Sequence, residues 1–175
     1  MSIAIVSVKR SPIGSFGGKL SKIKISDLTS QVIKSSLGKV KQAQVNQVII
    51  GHVLTSGFGQ NTARQAALAS GIESPAYTIN QVCGSGMKAI MIGCNEIEDG
   101  KAIVVGGHEI MSQAPHYTFL RNKANFGNVT MYDSVVSDGL TDVFNNVHMG
   151  ITAEHLAKTY GITREMEDEL SLIHI

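Results

Sequence analysis

The chain of 175 residues is 43% hydrophobic and 17% charged, with a formal net charge of +1. Such a composition supports a sizeable core and excludes a largely disordered chain; the near-neutral charge argues against broad electrostatic binding of nucleic acid. The length suits one domain, or one domain and part of another. No apolar run reaches membrane-spanning length, and no basic n-region with a cleavage site opens the chain, so neither a membrane span nor a signal peptide is expected.

Residues 2–8 are apolar at nearly every position and read as a first strand covered on both faces. Residues 9–18 follow as a loop. Its glycines and proline suggest a phosphate cradle, but the Lys-Ser/Thr ending of a P-loop is missing and an ordered surface loop is favoured. Ser26 is the expected N-cap of a helix carrying Leu28, Val32, Ile33 and Leu37 and closed by Gly38. Val48, Ile49 and Ile50 centre a second strand over residues 45–54. Asn61 or Thr62 caps a short helix over residues 63–70, ended by Gly71. Arg64 on it is a candidate ligand contact, although such an arginine is more often packed or paired within the fold.

Residues 76–80 read as a third strand, and a helical pattern follows. Met87, Ile90, Met91, Cys94 and Ile97 fall on one helix face. Cys83 stands between strand and helix beside Gly84 and Gly86. A helix N-terminus favours a thiolate, a thiolate attacks acyl carbon, and the following N–H groups are candidates to hold an oxyanion. The bland alternative is a small buried thiol, a common role for free cysteine. Cys83 and Cys94 are the two cysteines. On one helix they would stand about 16 Å apart, beyond disulfide reach, so reduced thiols in a cytoplasmic protein are expected. Residues 102–107 are a fourth strand. Strands alternating with helices argue for an α/β fold with a mostly parallel sheet.

Residues 112–147 show little periodicity, the mark of a functional segment or a separate subdomain. Thr152 opens another helix closed by Gly161, and Thr163 caps one more, with Met166, Leu170 and Ile173 along it.

Five collinear segments carry a resemblance to a known family. They are Arg10-Ser11-Pro12-Ile13-Gly14-Ser15-Phe16-Gly17-Gly18, Gly59-Gln60-Asn61-Thr62-Ala63-Arg64-Gln65-Ala66, Val82-Cys83-Gly84-Ser85-Gly86-Met87-Lys88-Ala89, Gly106-Gly107-His108-Glu109-Ile110-Met111-Ser112-Gln113-Ala114-Pro115 and His148-Met149-Gly150-Ile151-Thr152-Ala153-Glu154. Together they resemble the thiolases, and the His148-Met149-Gly150 triplet after Asp138-Gly139-Leu140 resembles the acetyl-CoA acetyltransferase branch. The resemblance implies an N-terminal α/β half with a mixed sheet and helices on both faces over residues 1–114. Residues 115–175 would be part of an inserted loop domain covering coenzyme A. It implies that Cys83 takes an acyl group from an acyl-CoA, and that a second acetyl-CoA loses an α-proton and attacks that thioester. Leu140, His148 and Met149 match positions lining the pantetheine arm and acyl pocket; the alternative for His148 is a hydrogen bond within its own subdomain. Coenzyme A or acetyl-CoA is then a substrate, with no permanently bound cofactor, no metal, no nucleic-acid or membrane partner, and a homodimer or homotetramer as the assembly.

The chain departs from the family in three places. Neither the Gly-His-Pro segment that activates the nucleophile nor the Cys-x-Gly-Gly segment that abstracts the proton occurs in it. His108 stands where Met or Gln is expected. The resemblance fades over Leu172-Ile173-His174-Ile175, so a truncated enzyme, inactive alone, is expected. The competing readings are a non-catalytic remnant that binds CoA or a partner subunit, and a decarboxylating condensing enzyme. The Cys83 and His148 contexts disfavour the second of these.

Overall fold

A computed structural model describes residues 3–121 and 126–173; Ser2, Asn122, Asn125 and His174 lie outside the described residues. The chain divides into two compact units, one ending at His116 and the other starting at Tyr117.

The first unit is built on a three-stranded parallel sheet in the order β2–β1–β3, with β1 Val45–Gly51, β2 Ala76–Ile79 and β3 Ala102–Gly107. Strand alternation divides β1 between two faces. Val48 and Ile50 turn to one side and meet Ile33 of α1 (Ile25–Leu37), Ala63, Ala66 and Ala67 of α2 (Thr62–Ala69), and Ile72. Ile49 and Gly51 turn to the other, where α3 (Ser85–Glu96) lies on the sheet. The α/β class with helices on both faces is therefore present, and every strand pair in this sheet is parallel.

Three local expectations are corrected. Residues 3–8 form no strand and are exposed, Ile5 at 80% and Val8 at 78%. They run along a groove of about 820 Å³ that they line together with Leu28 and Val32 of α1 and the residues of β3. An apolar run reports that a segment needs cover; it does not say which backbone will pair with it. Ser26 is not the N-cap: α1 already starts at Ile25, after Lys24 in extended conformation, and Ser26 is buried in the first turn.

The third correction concerns α3. Its apolar positions Met87, Ile90 and Met91 face outward, exposed by 71%, 45% and 54%. The buried face is Ser85, Ala89 and Gly93. The reason is distance: a Cβ on Gly93 would lie 2.5 Å from Val105 Cγ1, so only small residues let α3 approach the sheet this closely. The outward stripe and residues 3–8 leave large apolar surfaces uncovered, more than a lone soluble chain usually presents. The isolated chain should therefore enhance the fluorescence of a hydrophobic dye and self-associate. A monodisperse monomer that leaves the dye dark would contradict this.

Strand β4 (His116–Tyr117) spans the boundary, and the second unit has short strands β5 (Tyr132–Asp133), β6 (Thr141–Asp142) and β7 (Val147–His148), a π-helical turn over Val135–Leu140, and helices α4 (Met149–Tyr160) and α5 (Arg164–Ile173). Tyr117, Phe119 and Tyr132 form an aromatic cluster. Strands β6 and β7 pair antiparallel, Thr141 opposite His148. The Asp142 carboxylate holds the bend between them, accepting from Asn145 Nδ2 and the Phe144 N–H, and these bonds keep its pKa below the usual carboxylate value. Helix α4 begins three residues before Thr152 because His148, not Thr152, is its cap: Nδ1 of His148 accepts from the Gly150 N–H at 3.0 Å.

Candidate active site

Cys83 lies in the turn that carries the chain from β2 into α3, and its side chain is exposed. The turn is strained. Val82, a β-branched residue, has φ 48°, a left-handed conformation that costs about 1–3 kcal/mol and survives only where the surroundings enforce it. Those surroundings are visible. The Asn80 Oδ1 accepts from the Val82 N–H at 2.8 Å, the Gly84 N–H donates to Gln81 O at 3.0 Å, and the Ser85 N–H to Val82 O at 3.1 Å. The Ser85 hydroxyl, on a buried residue, donates to Val82 O and accepts from the Gln81 N–H. The amides of Gly84 and Ser85 are thus engaged in closing the turn.

The start of α3 is pressed onto the C-terminal ends of β1 and β3. A Cβ on Gly51 would stand 2.6 Å from the carbonyl carbon and the Cβ of Ser85, and one on Gly107 would stand 3.2 Å from Gly86 Cα. Of the Gly106-Gly107 pair only Gly107 makes a close approach; Gly106 has open space.

Past those strand ends lies a polar cluster that sequence reading did not assemble. His52, 1% exposed, has Nδ1 at 2.9 Å from Thr62 Oγ1 and Nε2 at 3.1 Å from Glu109 Oε1. The second contact is close but poorly directed for a hydrogen bond. His108 bridges Thr62 Oγ1 at 3.1 Å and Thr29 Oγ1 at 2.6 Å, and its ring meets that of His52 edge-on at 4.7 Å. Burial first, then the charge of His52, lower the His108 pKa to about 4 against the opposing charge of Glu109. Glu109 is pushed up by burial, but His52 and the N–H groups of Val53 and Leu54 outweigh that and hold it below the usual carboxylate value. The signal in the sequence is positional: His52 follows β1 and His108-Glu109 follow β3, and the carboxyl ends of parallel strands are where α/β sheets place their sites. His52 and Asn80 both line a polar cavity of about 270 Å³ with Thr55, Thr62 and Thr78.

Arg64 resolves to the structural alternative: its Nη1 donates to Glu73 O at 2.8 Å and Ser74 O at 2.7 Å, tying α2 to the approach of β2. Cys94 sits within α3 and both thiols are free. In the second unit, Leu140 ends the π-helical turn and Met149 starts α4. The Thr141–His148 pairing brings these two chain positions alongside each other, with His148 engaged as the helix cap. Among the described residues no group of three or more His, Cys, Asp or Glu is placed to hold a metal ion, and no helix is long and apolar enough to cross a membrane.

A parallel α/β sheet thus presents an exposed cysteine thiol at its carboxyl end, on a strained turn before a closely packed helix. The family model for the thiolase N-terminal domain matches residues 3–173. The acetyl-CoA acetyltransferase of Cupriavidus necator is 50% identical over 97% of this chain and 45% of that protein, and the cytosolic acetyl-CoA acetyltransferase of Mus musculus is 45% identical over 98% and 45%. The crystal structure of the Acat5 thiolase from Ascaris suum in complex with coenzyme A superposes with a TM-score of 0.83 at 40% identity, covering 91% of this chain and 43% of that one. The chain belongs to the thiolase family. It spans about half the length of the curated relatives that it matches.

Proposed function

We propose that the chain carries the nucleophile half of an acetyl-CoA acetyltransferase, with Cys83 taking an acetyl group from acetyl-CoA as a thioester. The observation that supports this most is the exposed Cys83 thiol, at a turn whose strain Val82 bears, within a chain matched by thiolases over nearly its whole length. The acyl step balances simply. The Cys83 sulfur attacks the thioester carbon, the bond to the CoA sulfur breaks, and CoA leaves as the thiol once it gains the proton that Cys83 gave up. A second acetyl-CoA would then attack the acyl-enzyme to give acetoacetyl-CoA, and thiolysis is the reverse. Leu140, His148 and Met149 are the residues proposed to line the pocket for the CoA arm and acyl group. The His148 ring already caps α4 through Nδ1, which leaves Nε2 for a ligand.

The activating histidine and the second cysteine that the resemblance calls for have no counterpart segments in these 175 residues. A positioned base contributes roughly 10²–10⁴-fold, so the chain by itself is proposed to acylate slowly and to form no carbon–carbon bond.

Iodoacetamide competition tests this reading. Cys83 should be alkylated well before Cys94 near neutral pH, and acetyl-CoA should slow the Cys83 reaction while leaving Cys94 unaffected. Equal rates at the two thiols, or protection of neither, would overturn it.

A further inference from the structure

We propose that Glu109 is a positioning residue for Cys83, acting through a chain of hydrogen bonds that holds the nucleophile turn in its strained form. The chain can be followed atom by atom. The Glu109 carboxylate accepts from the Val53 N–H at 2.9 Å and the Leu54 N–H at 3.3 Å, fixing the backbone just past β1. The carbonyl of that same Val53 accepts from Asn80 Nδ2 at 3.3 Å. The Asn80 Oδ1 accepts from the N–H of Val82, whose φ is 48°. The residue after Val82 is Cys83.

The terminal groups of this chain differ in a way that gives it a direction. His52, fully buried and itself held by Thr62, stands 3.1 Å from the Glu109 carboxylate. Asn80 and Val82 are exposed, so packing does not hold them and hydrogen bonds must. A β-branched residue in the left-handed region relaxes as soon as its restraint goes. Ser85 closes the turn from the helix side, but its bonds reach the Gln81 N–H and the Val82 carbonyl; Asn80 is the side chain that takes the Val82 N–H. Release of Asn80 frees the Gln81–Val82 peptide plane, and with it the φ of Val82, the residue that leads into Cys83.

This inference rests on the reading of Cys83 as nucleophile, and its test separates the two. Iodoacetamide rates at Cys83 and Cys94 are measured by peptide mapping in the wild-type chain, in Glu109→Gln and in Asn80→Ala, with Cys94 of α3 as the reference. Asn80→Ala removes an exposed side chain, so the turn is probed even if Glu109→Gln fails to fold. Both variants should lower the Cys83:Cys94 rate ratio by about fivefold, the scale of one lost hydrogen bond. In a Val82→Gly background, where glycine holds a positive φ without strain, neither substitution should change the ratio. A merely structural role for Glu109 predicts a lower melting temperature with the ratio intact, and that result would overturn the proposal. So would a drop of the same size in the Val82→Gly background. A wild-type ratio near one would instead overturn the nucleophile reading, and this proposal with it.

Discussion

Gly51→Ala should unfold or displace the start of α3. The added methyl would sit 2.6 Å from the carbonyl carbon and the Cβ of Ser85 and 2.8 Å from Gly86 N. Two of those three atoms are backbone, and Ser85 is buried with both its hydroxyl and its N–H committed to the turn, so no side chain can swing aside. Overpacking typically costs 1–3 kcal/mol, and a clash with backbone belongs at or above the upper end, about 3 kcal/mol. The melting temperature should fall by roughly 10 °C. The preference of iodoacetamide for Cys83 over Cys94 should disappear with it, because α3 carries the turn. Gly106→Ala is the control: a Cβ there meets nothing within 4 Å, and its effect should stay within about 0.5 kcal/mol. Equal stability of the two variants would mean that the close approach of α3 does not govern the fold.

Acid should destabilise the first unit through His108. Its pKa is about 4 in the fold against 6.5 in the unfolded chain, so the unfolded chain takes up a proton first. The stability that comes from keeping His108 neutral is therefore complete above pH 6.5 and is lost as pH falls from 6.5 toward 4. The 2.5-unit difference between those two values corresponds to about 3 kcal/mol. Glu109 is depressed below the usual carboxylate value by its contacts with His52, Val53 and Leu54 although burial opposes them, so its share is lost later, as pH falls further. His108→Gln keeps groups able to reach Thr29 and Thr62 but cannot titrate. The difference in denaturant-unfolding free energy between wild type and variant should thus change by about 3 kcal/mol between pH 7 and pH 4. A constant difference across that range would contradict this account of the cluster.

Much of the framework was legible from residue patterns. Val48-Ile49-Ile50 marked β1, Asn61 marked the cap of α2 through its bond to the Arg64 N–H, and Gly38 and Gly161 marked helix ends with φ 54° and 64°. What the patterns misplaced shares one physical cause. Apolar periodicity records which residues need cover, and it is silent about what supplies that cover. For α3 the pattern selected Met87, Ile90 and Met91, while the sheet took Ser85, Ala89 and Gly93, because close packing against Val105 requires small residues. For residues 3–8 the pattern predicted a strand whose partner the sheet does not supply. The polar cluster was illegible for a different reason. His52, Thr62, His108 and Glu109 are brought together by β1, α2 and β3, and no local spacing announces a contact between residues 57 positions apart. At the Cys83 turn the sequence supplied the residue, its glycines and the family, but not the strain at Val82 or the engagement of the next two amides.

The most direct test of the central claim is to incubate the purified chain with acetyl-CoA, quench in acid and map the acetyl group by peptide mass spectrometry. Acetyl should appear on Cys83 as a hydroxylamine-labile thioester, with none on Cys94 and none anywhere in Cys83→Ala. An acetyl group that stays in Cys83→Ala, or one found on Cys94 in preference to Cys83, would contradict it.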